Sequence, residues 1–267
     1  MEYRFSDKIA SLKPSAIREV LKATSVPGMI PFAAGNPAPD AFPVAEVQEI
    51  AADILKNRPI DALQYGVTEG YPELISLIKT RMKSKYGIGR DFDSIIITSG
   101  AQQVMDLSTK VLCNEGDVVI CECPSFIGSL NCFRSYNAKL VGVTVDADGM
   151  NIDALEKALD ENPNAKMIYT IPNFQNPAGV TMSLEKRRKL YELAKAHNVM
   201  ILEDNPYGEL RFEGEYMPAL KSLDTKGLVI YLGTFSKILA PGYRIGWVCA
   251  EEHILAKYNF MEQAASL

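Results

Sequence analysis

Short runs of β-branched and apolar residues alternate with helical patterns between about residue 93 and residue 250. The strand patterns are 94–100, 117–123, 139–145, 166–172, 199–204, 227–234 and 244–250. Two intervening segments, 101–112 and 183–197, repeat apolar positions at three and four residues, which is typical of amphipathic helices. This alternation predicts an α/β domain, with a mostly parallel seven-stranded sheet and helices on both faces.

The first 90 residues have a different pattern. Their helical patterns are 15–24, 44–56 and 72–85. A Pro/Gly-rich extended piece, 31–43, joins the first two of them. We therefore expect an N-terminal helix and extended arm over 1–45 and a large domain over 46–267. The last segment is helical but has no C-terminal stop signal, so a C-terminal small domain is expected to be missing.

Composition narrows the class of protein. The chain of 267 residues has 23% charged residues and a formal net charge of −5, which argues against binding to nucleic acid or to an anionic membrane. The charged N-terminus excludes a secretory signal, so a cytoplasmic location is expected. Cysteines are odd in number and scattered, which predicts reduced core residues and neither disulfides nor a metal site. They are Cys113, Cys121, Cys123, Cys132 and Cys249.

Polar residues follow several of the predicted strands. In open parallel sheets, ligands bind beyond the carboxyl ends of the strands, so these positions are candidates for a site. The turn after the first strand opens a helix, where backbone N–H groups can receive a phosphate. The candidates are Ser99, Gly100, Ala101 and Gln102 in that turn, then Asn176, Asp204, Tyr207, Thr234, Ser236 and Lys237.

This set suits a cofactor with a phosphate, a phenolic oxygen and an aldehyde, and pyridoxal phosphate has all three. The aldehyde needs an amine for a Schiff base, and Lys237 is the only lysine that follows Ser/Thr residues at a strand end. Such an amine can later move the α-proton of a substrate. Asp204 is the candidate for the carboxylate that keeps the ring nitrogen protonated by raising its pKa.

The remaining candidates would hold the rest of the cofactor. Tyr207 and Asn176 can donate to the phenolate oxygen of the ring. Arg244, with Thr234 and Ser236, would complete a phosphate-binding cradle as a rigid fork plus two hydroxyls.

Each residue taken singly has a plainer explanation. Lys237 could be a solvated loop lysine, and Asp204 and Asn176 could be turn formers beside proline. Residues 99–102 could be an ordinary helix start. Arg244 could be a surface residue. Only their joint position at strand ends favours a site.

These residues resemble a known family, the class I/II, fold-type I pyridoxal-phosphate aminotransferases. The segments that carry the resemblance are ALQYGVTEGYPEL (62–74), ITSGAQQ (97–103), IPNFQNPAGVTMS (171–183), ILEDNPYGELRFEG (201–214) and GTFSKILAPGYRIGW (233–247). The stretch PFAAGNPAPDAFP (31–43) is similar to the subgroup of 2-aminoadipate, kynurenine and broad-specificity aromatic or branched-chain aminotransferases.

The resemblance implies further roles. Tyr65 stands where these enzymes reach the cofactor phosphate of the neighbouring subunit, which implies a homodimer with shared active sites. Gly35 stands where the arm closes on the substrate, and Arg18 resembles an arginine near the substrate end. Phe126 replaces the family's usual tyrosine on the pyridine ring, so stacking is retained and a hydroxyl is lost. The plainer alternatives are a core aromatic for Phe126, interface packing for Tyr65 and a helix-face ion pair for Arg18.

The predicted function is transfer of the amino group of an L-amino acid to a 2-oxo acid. A β-lyase or decarboxylase on the same scaffold is an alternative, because the cofactor supports several bond cleavages. A non-catalytic regulator domain is another, although no helix-turn-helix pattern is present. The family's arginine for the substrate α-carboxylate lies in the C-terminal small domain, so the chain would be a fragment. The motifs do not distinguish acidic, aromatic and branched aliphatic donors.

Overall fold

The predicted strands form one sheet in the computed structural model, which describes residues 3–6, 8, 28–30 and 35–266. Within these residues the sheet has eight strands. They are β1 (Asp93–Thr98), β2 (Val118–Cys123), β3 (Lys139–Asp146), β4 (Gly149–Met150), β5 (Ala165–Thr170), β6 (Met200–Asp204), β7 (Val229–Thr234) and β8 (Gly246–Glu251).

Helices precede the sheet and alternate with its strands. They are α1 (Val44–Asn57), α2 (Pro59–Leu63), α3 (Pro72–Tyr86), α4 (Ala101–Leu112), α5 (Ile127–Ser135), α6 (Ile152–Glu161), α7 (Leu184–His197), α8 (Leu220–Leu223) and α9 (Glu252–Ser266). Short 3-10 helices cover Pro39–Ala41 and Pro241–Tyr243. No helix in the described part of the chain is long and apolar enough to cross a membrane.

The strand order brings one set of strand ends to a common edge. The order is β1-β8-β7-β6-β5-β2-β3-β4. Strands β7, β6, β5, β2 and β3 pair in parallel, whereas β8 runs antiparallel to both β1 and β7. The start of β8 therefore lies beside the ends of β1 and β7, and we call this side of the sheet the carboxyl edge.

The seven predicted strands are all present, and the structure adds β4. This strand pairs antiparallel with the end of β3. It has only two residues and is therefore too short to be recognised from sequence periodicity. The last strand begins at Gly246 rather than at 244, because Arg244 has a φ of 53° and cannot continue an extended strand. Arg18 and most of the predicted arm, 1–45, lie outside the described residues.

Alternate strand residues enter two apolar cores, one on each face. Val119 and Cys121 of β2 pack in the core that includes α4 and α9, whereas Val118 and Ile120 pack in the core that includes α6 and α7. A sheet buried on both faces needs apolar residues at every position, which explains the continuous apolar runs in the sequence. The predicted α/β architecture with helices on both faces is confirmed.

Candidate active site

The carboxyl edge gathers most of the predicted site residues. In the strand registers, Asp204 pairs with Leu232, and Thr234 and Thr98 both pair with Gly246. The segments after β1, β5, β6 and β7 thus meet the segment before β8. Each of these segments carries at least one of the predicted residues.

Asp204 is the most deeply buried of the predicted polar residues. It is 3% exposed, and its Oδ2 accepts a hydrogen bond of 2.7 Å from the Tyr169 hydroxyl. Its Oδ1 is buried and has no hydrogen-bond partner among the described residues. Burial raises the pKa of this carboxyl to about 7, against the lowering effect of the bond from Tyr169. A buried acceptor without a donor is costly, so its free oxygen indicates a ligand atom.

Tyr169 was not among the predicted site residues. It is fully buried, and its hydroxyl lies 2.8 Å from the Ser129 hydroxyl as well as donating to Asp204. A tyrosine in the interior of a buried strand needs a partner for its hydroxyl. That requirement is the sequence signal that could have identified it, since Tyr169 interrupts the apolar run of β5.

Tyr207 and Asn176 are in direct contact, although they follow different strands. The Asn176 side-chain amide donates to the Tyr207 hydroxyl over 3.2 Å. Burial raises the pKa of Tyr207, so its hydroxyl stays protonated at neutral pH. The contact places two hydrogen-bonding groups side by side, as donation to a single oxygen requires.

Arg244 and Gly100 lie very close to each other at the carboxyl edge. Gly100 has a φ of 74°, and a Cβ on it would lie 2.4 Å from Arg244 Nη2. A Cβ on Gly246 would lie 2.8 Å from the Gly100 carbonyl carbon. Only glycine fits both positions, so the Arg244 guanidinium can lie against the start of α4. This guanidinium also donates to the Pro241 carbonyl over 3.3 Å.

Hydroxyl and amide groups are carried by the segments next to Gly246 and by the first turn of α4. The Thr234 hydroxyl lies 3.0 Å from the Ser236 hydroxyl and accepts a 3.1 Å hydrogen bond from the Ser236 amide. The Gln102 side chain donates to the Gly128 carbonyl over 3.3 Å, and the Ser99 amide donates to Gln103. Ala101 is the first residue of α4. A helix N-terminus beside an arginine is suited to an anion.

Lys237 lies at the border of a cleft. Its Nζ donates to the Gly35 carbonyl over 3.0 Å, and burial lowers the pKa of its amine. The cleft has a volume of about 490 Å³ and is lined by Arg81, Glu209, Leu210, Phe235, Lys237, Ile238 and Leu239. An amine with a lowered pKa is a better nucleophile and base near neutral pH.

Phe126 and Tyr65 differ in their surroundings. Phe126 packs at the border of the core, and a Cβ on Gly128 would lie 2.6 Å from its ring. Gly128 therefore leaves room for this ring orientation. Tyr65 is 89% exposed, and the structure does not bring it to the other predicted site residues.

The residues present fit pyridoxal phosphate. The free Asp204 Oδ1 can accept from a protonated ring nitrogen, and the Asn176–Tyr207 pair can donate to a ring oxygen. The Gly100–Arg244 contact offers a positive, sterically open place for a phosphate. Lys237 supplies the amine.

The comparison with protein families decides the identity. The model of aminotransferase class I and II matches residues 27–266. The chain belongs to this family. Membership confirms the predicted fold class. Together with the phosphopyridoxyl ligand in the related Thermus thermophilus alpha-aminoadipate aminotransferase, it confirms the cofactor, pyridoxal phosphate. The resemblance to the subgroup is also confirmed, since its relatives include aromatic-amino-acid and 2-aminoadipate aminotransferases.

Individual relatives show how far the family likeness extends. Aromatic-amino-acid aminotransferase 1 of Thermococcus litoralis is 44% identical over 100% of this chain and 65% of its own length. The crystal structure of Pyrococcus horikoshii kynurenine aminotransferase superposes with a TM-score of 0.93 at 40% identity, covering 98% of this chain and 66% of that one. An uncharacterized HTH-type transcriptional regulator of Escherichia coli is 35% identical over 89% of this chain and 50% of its own length. The chain thus spans about two thirds of the length of these two aminotransferases.

Proposed function

We propose that this chain is the cofactor-binding part of an aminotransferase that moves the amino group of an L-amino acid to a 2-oxo acid. The observation that carries the proposal is the buried Asp204, whose Oδ1 has no partner among the described residues although Tyr169 holds Oδ2. Its position at the carboxyl edge of a sheet of this family supports a ring nitrogen as the missing donor.

When bound, pyridoxal phosphate supplies the electron-accepting ring that stabilises negative charge at the substrate Cα. Asp204 keeps the ring nitrogen protonated, because an ionised carboxylate in a buried site favours a cation beside it. Lys237 Nζ would hold the cofactor at its aldehyde carbon and, once free, would accept the α-proton of the substrate. Its lowered pKa leaves a fraction of the amine neutral and able to take that proton.

The other residues orient and hold the cofactor and the substrate. Asn176 and Tyr207 would donate to the ring oxygen, and Phe126 would stack on the ring. Gly35 closes the arm over the substrate, beside Lys237. Arg244 would hold the phosphate together with the groups around the start of α4. Those groups are Ser99, Gly100, Ala101, Gln102, Thr234 and Ser236.

The proposal includes a homodimer in the cytoplasm, in which Tyr65 reaches the phosphate bound by the partner subunit. Tyr65 is 89% exposed, and helices α1 and α2 contain no buried residue. Their exposed apolar side chains include Val44, Ile50, Leu55, Ile60 and Leu63. Such a surface is typical of a protein interface. Sedimentation of the full-length protein tests the dimer.

The first experiment is an absorbance spectrum of the full-length protein with pyridoxal phosphate, before and after glutamate is added. We expect a visible band that disappears as the pyridoxamine form accumulates, and for Lys237→Ala no band of the lysine-bound form. The exposed Lys226→Ala is the matched control and should behave like the parent. A parent protein without a visible band would refute the proposal.

The similarity to a transcriptional regulator favours a second candidate, a cofactor-binding domain that senses and does not catalyse. A β-lyase or decarboxylase is a third. A visible band that persists with a panel of amino acids supports the sensor. Release of ammonia with pyruvate, or of carbon dioxide, supports a lyase or decarboxylase.

A further inference from the structure

A buried glutamine joins the two segments that flank the cofactor position. Gln175 is 3% exposed and directly precedes Asn176. Its Nε2 donates to Glu122 Oε2 over 3.0 Å and to the Pro124 carbonyl over 2.9 Å, and its Oε1 accepts from the Ala178 amide over 2.7 Å. Both amide hydrogens and the carbonyl oxygen of the side chain are therefore in use.

Glu122 anchors this glutamine from the end of β2. It is 2% exposed, and its Oε1 accepts from the Thr170 hydroxyl over 2.7 Å, while its Oε2 also accepts from the Ile171 amide over 3.1 Å. The carboxyl thus joins β2, the end of β5 and the loop that carries Asn176. Three donors on one buried carboxyl restrict its orientation.

The contacts of Gln175 have two consequences for the site. Its bond to Ala178 spans the turn that contains Asn176 and, together with the backbone bonds that join 175 to 179 and 180, sets the direction of the Asn176 amide. Its bond to the Pro124 carbonyl holds the segment that leads, two residues later, to Phe126. The donor for the ring oxygen and the aromatic residue for the ring face are therefore held to each other through one side chain.

We propose that Gln175 is a positioning residue that sets the place of Asn176 relative to Phe126, and that Glu122 acts through Gln175. The inference rests on the proposed function, because it concerns the place of the cofactor ring. Neither residue needs to touch the cofactor. Their contribution is the separation and orientation of two groups that do.

The loop has a second, independent anchor, so a change at Gln175 should leave the fold in place. Arg187 is fully buried and donates to the Pro172 carbonyl and to Asn173 Oδ1, each over 2.8 Å. Asn173 in turn donates to Asn205 Oδ1 over 2.8 Å. This network holds the first half of the loop, whereas the Gln175 side chain contacts the turn from 175 to 180, whose backbone bonds a substitution leaves in place.

The test uses the full-length protein loaded with pyridoxal phosphate and four variants. Gln175→Met keeps the length of the side chain but removes its hydrogen bonds. Glu122→Met likewise removes the hydrogen bonds of the carboxyl group that anchors Gln175. Glu122→Gln is the conservative control, since its amide oxygen can still accept from Ile171 and Gln175 while its NH₂ faces the Thr170 hydroxyl. Asn176→Ala shows the effect of losing the donor itself.

The main readout is the pH at which the visible band of the bound cofactor changes. A hydrogen bond to the ring oxygen competes with the proton shared between that oxygen and the lysine nitrogen, so its loss raises this pH. We expect Gln175→Met and Glu122→Met to shift it upward by about 0.5–1 unit, in the direction of Asn176→Ala. Glu122→Gln should stay with the parent. Cofactor affinity should fall about tenfold in the two Met variants.

Two outcomes would overturn the inference. If both Met variants lower Tm but leave the transition pH and the cofactor affinity at the parent values, Gln175 is only structural. If Gln175→Met does not fold, the transition pH and cofactor affinity of Glu122→Met are compared with those of Glu122→Gln. Equal values for these two variants then overturn the inference. A parent that shows no visible band overturns the proposed function and this inference with it, whereas an unmoved Met variant overturns the inference alone.

Discussion

Buried polar residues occur at both edges of the sheet, but their hydrogen bonding differs. We call the side where the parallel strands begin the amino edge. There, Lys221 Nζ lies 2.6 Å from Asp93 Oδ1 and 3.0 Å from Asp224 Oδ2, and the side chains of Lys221 and Asp224 are fully buried. Asp224 also accepts from the backbone amides of residues 226–229. At the carboxyl edge, Asp204 has one donor for its two oxygens.

The difference separates a structural cluster from a binding site. At the amino edge, burial raises the pKa of Asp224, but Lys221 and the backbone amides lower it further, so the net shift is downward. At the carboxyl edge, burial raises the pKa of Asp204 to about 7 because only Tyr169 opposes it. Asp224, whose partners lie within the chain, stabilises the fold, whereas Asp204 Oδ1, at the carboxyl edge, is available to a ligand.

The largest expected effect is on stability, at the amino edge. Lys221→Met leaves two buried carboxylates without their cation, so the free energy of unfolding should fall by about 3–5 kcal/mol. Chemical denaturation of the cofactor-free protein measures this loss in the free energy of unfolding. Lys226→Met, at an exposed position nearby, is the control and should change little. A loss under about 1 kcal/mol would mean that this edge is not a structural cluster.

The next effect is on activity, at the carboxyl edge. Asp204→Asn removes the charge that supports the ring nitrogen, so kcat should fall by about 10²- to 10³-fold, the usual result of losing one preorganised electrostatic contact. Stability of the cofactor-free protein should not decrease, because a desolvated carboxyl is replaced by a neutral amide. Asp160→Asn, on the exposed surface, is the control. Equal loss of stability and activity would contradict the comparison.

The smallest effect concerns pH and the second buried carboxyl of the site. Burial raises the pKa of Glu122 to about 7, against the lowering effect of its three donors. Its contribution to stability is therefore fully present below the pKa of the unfolded carboxyl, about 4.3, and is lost as pH rises toward 7. Between pH 5 and pH 7 the parent should lose about 2 kcal/mol relative to Glu122→Gln.

Thermal denaturation of the cofactor-free protein at both pH values checks this prediction. Glu156→Gln, on an exposed face of α6, is the matched control and should follow the parent at each pH. A parent and a Glu122→Gln variant with parallel pH profiles would show that Glu122 ionises normally in the folded protein.

The sequence determined the architecture and the identity of the residues at the strand ends. Apolar runs must be buried on both faces, so their alternation with amphipathic helices was enough to predict an α/β sheet. The rule that ligands bind at the carboxyl edge then selected Asp204, Asn176, Tyr207 and Lys237 from a chain of 267 residues. These inferences depend on local periodicity and on order along the chain, which a sequence contains.

Tertiary structure alone decided which side chains meet. The donation from Tyr169 to Asp204 joins residues 35 apart, and the bond from Gln175 to Glu122 joins residues 53 apart. Arg244 reaches Gly100 only because β8 runs antiparallel between β1 and β7. Strand order and register set these contacts. Neither produces a periodic pattern in the sequence, because long-range pairing depends on the packing of the whole sheet.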